Sequence, residues 1–512
     1  MSTKKQYLGI ELGSTRIKAI TIDASYKPVE SGDYTWASKL VDGIWTYDLE
    51  EVWKGLKEAI KGIKDTSSIC AMGVSAMMHG YLAFDKDWNL LVPFRTWQNT
   101  ITGEAADKLS ALFDFNIPQR WSISHLYQAV LNKEPHVKDI AHITTLAGYI
   151  HFMLTGVNAI GIGEASGMFP IDSATNQYDS KMLEQFEKVM SEYDFAWNIK
   201  EILPEVLVAG QKAGELTEDG AKMLDNLLPV GIAFAPAEGD AGTGMTATNS
   251  VGARTGNVSA GTSIFSMIVL EKPLSKVYPE LDMVTTPTGR PVAMVHCNNC
   301  TNDMNAWVGM LRECVELFGA APSVGDVFTK LYEKSLEGDA DCGGLFVCNY
   351  LAGEGVTHMD AGLPMVIRKP DGKFTLANFL RAQLYSTMAT LKIGMDILAK
   401  EQVKIDVLNG HGGLFKTPVV GQKYMAAACL APVTCMETAG EGGPYGMALL
   451  ASFMDSREDG ETLEDFLTNK VFAGAKGTTI EPDEESVVGF RKFLEQYVKG
   501  IEVERFAVDN IR

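Results

Sequence analysis

Positive charge is what this chain has least of. Its 45 lysines and arginines are outnumbered by 65 aspartates and glutamates, leaving a formal net charge of -20 at pH 7. That excludes a nucleic-acid binder, which needs a basic face to displace counterions. Cysteine is sparse as well: eight in 512 residues, irregularly spaced, so no disulfide framework is encoded. One Cys-x-x-Cys is present, Cys297-Asn-Asn-Cys300, but no second pair and no histidine pair at zinc spacing accompanies it. Free thiols in a reducing compartment are therefore expected rather than structural zinc. No long apolar run stands out. The longest uncharged stretch, residues 140–163, carries His142, Thr144, Thr145, His151, Thr155, Asn158 and four glycines. It reads as a buried helix followed by a glycine-rich turn, not as a membrane span. The opening MSTKKQYLGIELG is polar and passes straight into a strand pattern, without a secretory signal; a cytoplasmic protein with no membrane partner is expected. Two nucleotide motifs are missing too, the Gly-x-x-x-x-Gly-Lys-Ser/Thr loop and the Gly-x-Gly-x-x-Gly fingerprint. Any nucleotide must be held by other means.

What is present is a globular composition, 46% hydrophobic and 21% charged, on a chain long enough for at least two domains. The clearest organising signal is an internal echo. Residues 7–23, YLGIELGSTRIKAITID, read as strand, Gly-Ser-Thr turn, strand; residues 256–270, GNVSAGTSIFSMIVL, repeat that order with a Gly-Thr-Ser turn. Helices fill the intervals. Residues 49–63 place Leu49, Val52, Trp53, Leu56, Ile60 and Ile63 on one face, and residues 376–399, with Thr375 as cap, carry a stripe from Leu376 to Leu391. Strands alternating with such helices indicate an α/β protein. Residues 240–256, DAGTGMTATNSVGARTG, are small and glycine-rich and read as a hinge, giving domains 1–247 and 248–512.

Chemistry concentrates in the turns. Glu11-Leu-Gly13-Ser14-Thr15-Arg16 and Ser259-Ala-Gly261-Thr262-Ser263 both offer small residues whose N–H groups can approach an anion. Two such turns could grip one polyphosphate, and Glu11 just before the first could hold Mg²⁺. A third glycine-rich turn, Asn409-Gly-His-Gly412-Gly413, follows a strand pattern at 403–408 and precedes a helical segment, a setting that suits a nucleotide. Gly440-Glu-Gly-Gly-Pro-Tyr-Gly446 could wall a purine, although glycines equally serve close helix packing. Asp240, in Ala-Glu-Gly-Asp-Ala-Gly, is the candidate base for phosphoryl transfer to an alcohol, with Glu238 as its nearest competitor. His79, ending the apolar stretch 69–74 with Gly80 after it, is a candidate sugar contact or a structural histidine.

Taken in order, these segments resemble the FGGY carbohydrate kinases, most of all their xylulokinase and pentulose kinase members, over nearly the whole chain. Gly9-Ile-Glu11-Leu-Gly13-Ser14-Thr15 stands where the family reads Gly-Ile-Asp-Leu-Gly-Thr-Thr/Ser. Ala76-Met-Met78-His79-Gly80 stands for Gly-Gln-Met-His-Gly, and Trp97-Gln-Asn99-Thr-Ile101 for Trp-x-Asp-x-Arg. Glu164-Ala-Ser-Gly-Met168 is similar to the family's Ser-Gly segment. Gly239-Asp240 matches Gly-Asp-Asn/Gln with Ala241 in place of the amide, and Tyr350-Leu-Ala-Gly353-Glu354 matches Tyr-Leu-x-Gly-Glu with Gly355 in place of the usual Arg. The resemblance implies an α/β fold of two domains, actin/hexokinase-type (ribonuclease H-like), with an interdomain cleft. It implies ATP and Mg²⁺, a small sugar as partner, and a homodimer as one expected assembly. It also implies roles: Asp240 as catalytic base; Met78, His79, Trp97 and Asn99 toward the sugar; Gly13, Ser14, Thr15, Arg16, Gly261, Thr262, Ser263, Gly412, Gly413, Lys416 and Gln422 toward ATP; Glu11 and Asp240 toward the metal. A ketopentose, D-xylulose or L-ribulose, is the implied acceptor. The alternatives are glycerol, gluconate, or a non-catalytic nucleotide-gated sugar sensor, the last motivated by Asn99, Ala241 and Gly355.

Overall fold

The computed structural model describes residues 5–437 and 442–511. Gly440 and Glu441 of the closing glycine cluster lie outside the described residues. Two units form. The first comprises the described residues up to 252 together with 283–292 and 442–474; the second comprises 253–282, 293–437 and 475–511. Where the sequence places one boundary at 247/248, the chain leaves the first unit at 252, touches it again at 283–292 and returns to it at 442–474.

The first unit is built on a six-stranded sheet. β1 (Gln6–Leu12), β2 (Arg16–Asp23) and β3 (Pro28–Thr35) form an antiparallel meander, and β4 (Ile69–Ala76) lies parallel to β1 on its other side. The short β5 (Ala233–Phe234) and β6 (Glu238–Gly239) both pair parallel to β4. β1 and β4 are buried almost throughout, so their sequences are apolar with little alternation. The helix expected at 49–63 forms as Leu49–Ile60. Asp48 caps it by accepting from Glu50 N–H at 2.9 Å, and Val52, Leu56, Ala59 and Ile60 are buried.

The second unit repeats the pattern. β7 (Thr255–Ala260) and β8 (Ile264–Val269) make the antiparallel hairpin, β9 (Pro291–Cys297) flanks β8, and β10 (Val407–His411) lies parallel to β7. β11 (Val433–Met436) runs parallel to β10, and β12 (Gly477–Ile480) closes antiparallel to β11. The order β5-β4-β1-β2-β3 thus reappears as β11-β10-β7-β8-β9. The echo between residues 7–23 and 256–270 is a repeated topology, not a coincidence of two hairpins. Helix Leu376–Lys400 follows its expected course, with Thr375 Oγ1 accepting from Asn378 N–H at 3.2 Å.

Two expectations are corrected. The stretch read as a hinge begins as a helix, Asp240–Ala247. Its small residues serve packing: a Cβ added at Gly446, in the helix Gly442–Ser456, would overlap the Thr243 carbonyl. Gly443 packs in the same way, against Glu11 and Thr243 of the first unit. The strand expected at 403–408 is shifted, because β10 starts at Val407 and takes in Gly410, and the following helix begins only at Val420. The uncharged stretch 140–163 holds the buried helix expected there, Leu146–Thr155, ended by Gly156, with short strands His142–Thr144 before it and Ala159–Gly161 after it. No helix among the described residues is long and apolar enough to cross a membrane.

Candidate active site

The first glycine turn joins β1 to β2 and closes on a bond from Gly13 N–H to Arg16 O, 2.9 Å. Its carbonyls are all engaged from behind. Gly13 O accepts from Trp36 Nε1 at 2.7 Å, Ser14 O from the Tyr47 hydroxyl at 2.7 Å, and Thr15 O from Trp36 N–H at 3.2 Å. Trp36 and Tyr47 are buried and stack with ring centroids 4.2 Å apart. Ser14 and Thr15 are exposed, and none of the hydrogen bonds among the described residues uses their N–H groups. Acceptors turned inward and donors left outward make a concavity suited to an anion. Arg16, also exposed, pairs with Asp33 at 3.4 Å, an ion pair worth little at such exposure.

A group of acids lies next to this turn. In register across three strands stand Glu11 on β1, Ser75 on β4 and Glu238 on β6. Asp240 follows directly as the first residue of its helix, exposed, with Met78 N–H donating to its Oδ1 at 3.1 Å. Burial pushes the Glu11 carboxyl up to about 8, the neighbouring Asp240 adds to this, and Lys18 opposes it. Desolvation by the surrounding protein pushes Asp240 above the ordinary range even though part of its side chain reaches solvent, against hydrogen bonds from the N–H groups of Met78 and Ala241. The arm of Glu11 runs against Gly443, whose missing side chain leaves the space it occupies. Two neighbouring carboxylates, one of which raises the proton affinity of the other, fit a divalent cation shared with substrate phosphates. No group of three or more metal-binding side chains occurs among the described residues, so a self-sufficient protein cage is not what these residues build.

Glu238, the sequence competitor for the base, is buried. It accepts from Gly163 N–H at 3.4 Å and Glu164 N–H at 3.0 Å. Burial holds it at about 8. Glu164 is fully buried and is held well above the carboxylate range, first by burial and then by Asp240 and Glu238. Of the three, Asp240 alone is open to solvent.

On the sugar side the residues separate. Met78 is buried and contributes its backbone to Asp240. His79 is buried in a left-handed conformation (φ 71°), its Nδ1 lies 3.3 Å from Gly167 O, and its ring stacks on Trp121. Trp97 is partly buried against the core. Asn99 spends its amide inside the protein: Oδ1 accepts from Trp45 N–H at 2.8 Å, while Nδ2 donates to Trp45 O at 2.8 Å and Thr96 O at 3.0 Å. It ties its own loop to the strand segment around Trp45.

The second unit carries the other turn. Gly261 N–H donates to Ser263 O at 2.9 Å. Gly261 O accepts from Thr301 N–H at 3.1 Å and Thr301 Oγ1 at 2.7 Å, and Thr262 O accepts from Cys300 N–H at 3.1 Å. The carbonyls are again tied back, Thr262 is exposed, and the N–H groups of Thr262 and Ser263 are unused among the described hydrogen bonds. Gly412, at φ 99°, lies so close to Ala260 that a Cβ would overlap the Ala260 carbonyl. Gly412 and Gly413 therefore adjoin this turn, both exposed, with exposed Lys416 following. Gln422 does not join them. It is buried, donates to Val433 O at 3.0 Å and Thr478 O at 2.6 Å, and accepts from Thr478 Oγ1 at 3.1 Å.

Residues that sequence reasoning missed are those behind the turns: Trp36 and Tyr47 in one unit, Cys300 and Thr301 in the other. They lie 20 to 40 positions away; Cys300 stands in the Cys-x-x-Cys, which says nothing of the turn, and no local pattern marks the other three.

Comparisons with known proteins bear on the family and the fold. The family model for the N-terminal domain of the FGGY family of carbohydrate kinases matches residues 6–244, and that for its C-terminal domain matches residues 256–454. A xylulose kinase of Haemophilus influenzae is 21% identical over 96% of this chain and 98% of its own length. The solved structure of a ligand-bound xylulose kinase from Lactobacillus acidophilus is 17% identical, with a TM-score of 0.81 and coverage of 99% of each chain. That of a gluconate kinase from the same organism is 18% identical, with a TM-score of 0.80 and the same coverage. At these identities the structural likeness speaks to the fold.

Proposed function

This chain belongs to the FGGY family of carbohydrate kinases, ATP-dependent sugar kinases, and from that premise we propose that it phosphorylates a ketopentose, D-xylulose or L-ribulose, with Asp240 as general base. The observation that carries the site assignment is the shared build of the two glycine turns, with every carbonyl engaged from behind and the N–H groups left free. That is a phosphate-binding arrangement, and the first turn stands beside the one solvent-open acid of the group.

In this reading Asp240 accepts the proton of the acceptor hydroxyl as its oxygen attacks the γ-phosphorus, and ADP leaves. A carboxylate raised above its ordinary range is a stronger base than a free aspartate. Its Oδ1 bond to Met78 N–H orients it. The turn at Ser14 and Thr15 offers donors to phosphate oxygens; in the second unit the turn at Thr262 and Ser263 does the same, and Gly412 and Gly413 beside it leave room for a nucleoside. Glu11 and Asp240 would hold Mg²⁺ together with the nucleotide phosphates, and the ion when bound supplies charge neutralisation at the transferring group. Ketopentose is favoured by the xylulose kinases among the relatives and by Met78-His79-Gly80. A sugar acid or glycerol is the second reading, supported by the gluconate kinase neighbour and by Asn99 and Ala241, which leave two of the family's polar sugar anchors without a counterpart.

Asp240→Asn is expected to lower turnover by roughly 10²- to 10⁴-fold, with a much smaller rise in the KM for MgATP through its share in holding the metal. Near-wild-type turnover in that variant removes Asp240 from the role. Coupled ADP detection across D-xylulose, L-ribulose, other ketopentoses, glycerol and gluconate identifies the acceptor. Turnover confined to gluconate or glycerol overturns the ketose assignment.

A further inference from the structure

Behind the second glycine turn lies a second layer of hydrogen bonds. The carbonyls of Gly261 and Thr262 are held by Cys300 and Thr301. Those two residues are in turn held by a neighbouring segment, Tyr350–Glu354, and the link is Asn299. Its side chain is buried and fully used. Oδ1 accepts from Leu351 N–H at 2.8 Å and Ala352 N–H at 3.0 Å, and Nδ2 donates to Ala352 O at 3.1 Å and Glu354 Oε2 at 3.1 Å. The backbone N–H of Asn299 donates to the same Glu354 oxygen at 3.2 Å. Two outer bonds run in parallel, from Asn298 Nδ2 to Gly353 O at 2.8 Å and from Asn349 Nδ2 to Cys300 O at 2.7 Å. Glu354 is buried; its Oε2 has these partners in place of water, while its Oε1 meets no hydrogen-bond partner among the described residues.

A side-chain amide that satisfies four backbone and side-chain partners across two loops fixes their relative position, because any displacement breaks several buried bonds together. The loop so fixed, 299–301, is the one whose N–H groups hold the carbonyls of the phosphate turn. Nothing in this layer reaches the turn's outward face. We propose that Asn299, braced by Glu354, is a positioning residue for nucleotide binding: it acts through Cys300 and Thr301 to keep the carbonyls of Gly261 and Thr262 turned back, so that the N–H groups and hydroxyls of the turn stay aimed outward. This rests on the reading of residues 261–263 as a phosphate turn.

The test compares steady-state KM values for MgATP and for the sugar, with the melting temperature of each variant recorded. Asn299→Ala is expected to raise the KM for MgATP about tenfold and leave the KM for sugar within about twofold, because the sugar-side residues are in the other unit. Glu354→Ala is expected to act in the same direction, and the double variant to add little to either alone, since both break one link. Should Asn299→Ala fold poorly, Asn299→Asp sets a carboxylate against Glu354 and is expected to raise the KM for MgATP. Adding Glu354→Gln to it restores a donor–acceptor pair and is expected to recover part of the loss. A role confined to stability predicts something else, a lower melting temperature and active fraction with both KM values unchanged, and that result overturns the proposal. Thr262→Asp, which sets a carboxylate on the exposed face of the turn against any bound phosphate, separates the two readings. If it raises the KM for MgATP and the Asn299 variants do not, the positioning role falls and the phosphate turn stands. If it leaves the KM for MgATP unchanged, the phosphate reading falls and the positioning role with it.

Discussion

At the scale of single residues, the informative positions are buried acids. Glu238 is neutral in the folded protein up to about pH 8, against about 4.5 for an unperturbed glutamate. The folded state therefore binds more protons than the unfolded chain between those values, and its stability falls as pH rises through them. Glu11, held at about 8 by burial and Asp240, acts in the same direction. Glu401 has the opposite sign: hydrogen bonds from Ser275 and Tyr278 lower it to about 2, so its contribution is present above the ordinary range and lost on acidification. Glu238→Gln is expected to flatten the decline in melting temperature between pH 5 and pH 8. An unchanged slope in differential scanning fluorimetry shows that Glu238 is already ionised in the fold. The amides teach a separate lesson. Asn99 and Gln422 were legible as polar residues in motif positions, but a sequence does not record whether an amide is already spent. Each engages its neighbours within the protein, Asn99 at Trp45 and Gln422 at Thr478.

At the scale of elements, small residues carry most of the architecture. The helix Asp240–Ala247 and the helix Gly442–Ser456 approach so closely that a side chain at Gly446 meets backbone, which cannot move aside as a flexible side chain would. Gly446→Val is expected to cost about 1–3 kcal/mol or more by overpacking, and to reduce activity beyond its effect on the folded fraction, because Asp240 begins the displaced helix. Chemical denaturation with an assay of the folded fraction checks both, and wild-type stability in the variant contradicts the packing account. Legibility at this scale follows from locality. The caps at Asp48 and Thr375, the helices they start and the two glycine hairpins all depend on residues within a few positions of one another. The 240–256 stretch was misread because glycine and alanine signal a loop and a close helix contact equally well.

At the scale of the whole molecule, the first unit is discontinuous. Its central strands β1 and β4 are covered by the helix Gly442–Ser456, which arrives more than 350 residues later in the chain. A fragment ending at residue 252 would leave that face of the sheet bare. It is expected to lack a cooperative thermal transition, and fusion of residues 442–474 through a flexible linker is expected to restore one. Circular dichroism melts decide this, and a cooperative transition in the short fragment alone means the first 252 residues carry a complete core. The repeated order of five strands in each unit was visible as an echo of one hairpin, because the hairpin is local. The parallel neighbours β4 and β10, which complete the repeat, join it only through long crossovers.

By itself, then, the sequence determined the local grammar of this kinase: two hairpins with small-residue turns, the helices with their caps, the acid at the start of the Asp240 helix, and the order of motifs that marks the FGGY family. Adjacent residues set those features through sterics and short-range hydrogen bonds. The tertiary structure alone decided which polar groups remain available. Carbonyls at 13–15 and 261–262 are consumed by partners far along the chain, Asn99 and Gln422 are used up internally, and Glu238 is buried while Asp240 stays open. The reason is that a hydrogen-bonding group has a limited number of partners, and distant packing chooses which ones it meets.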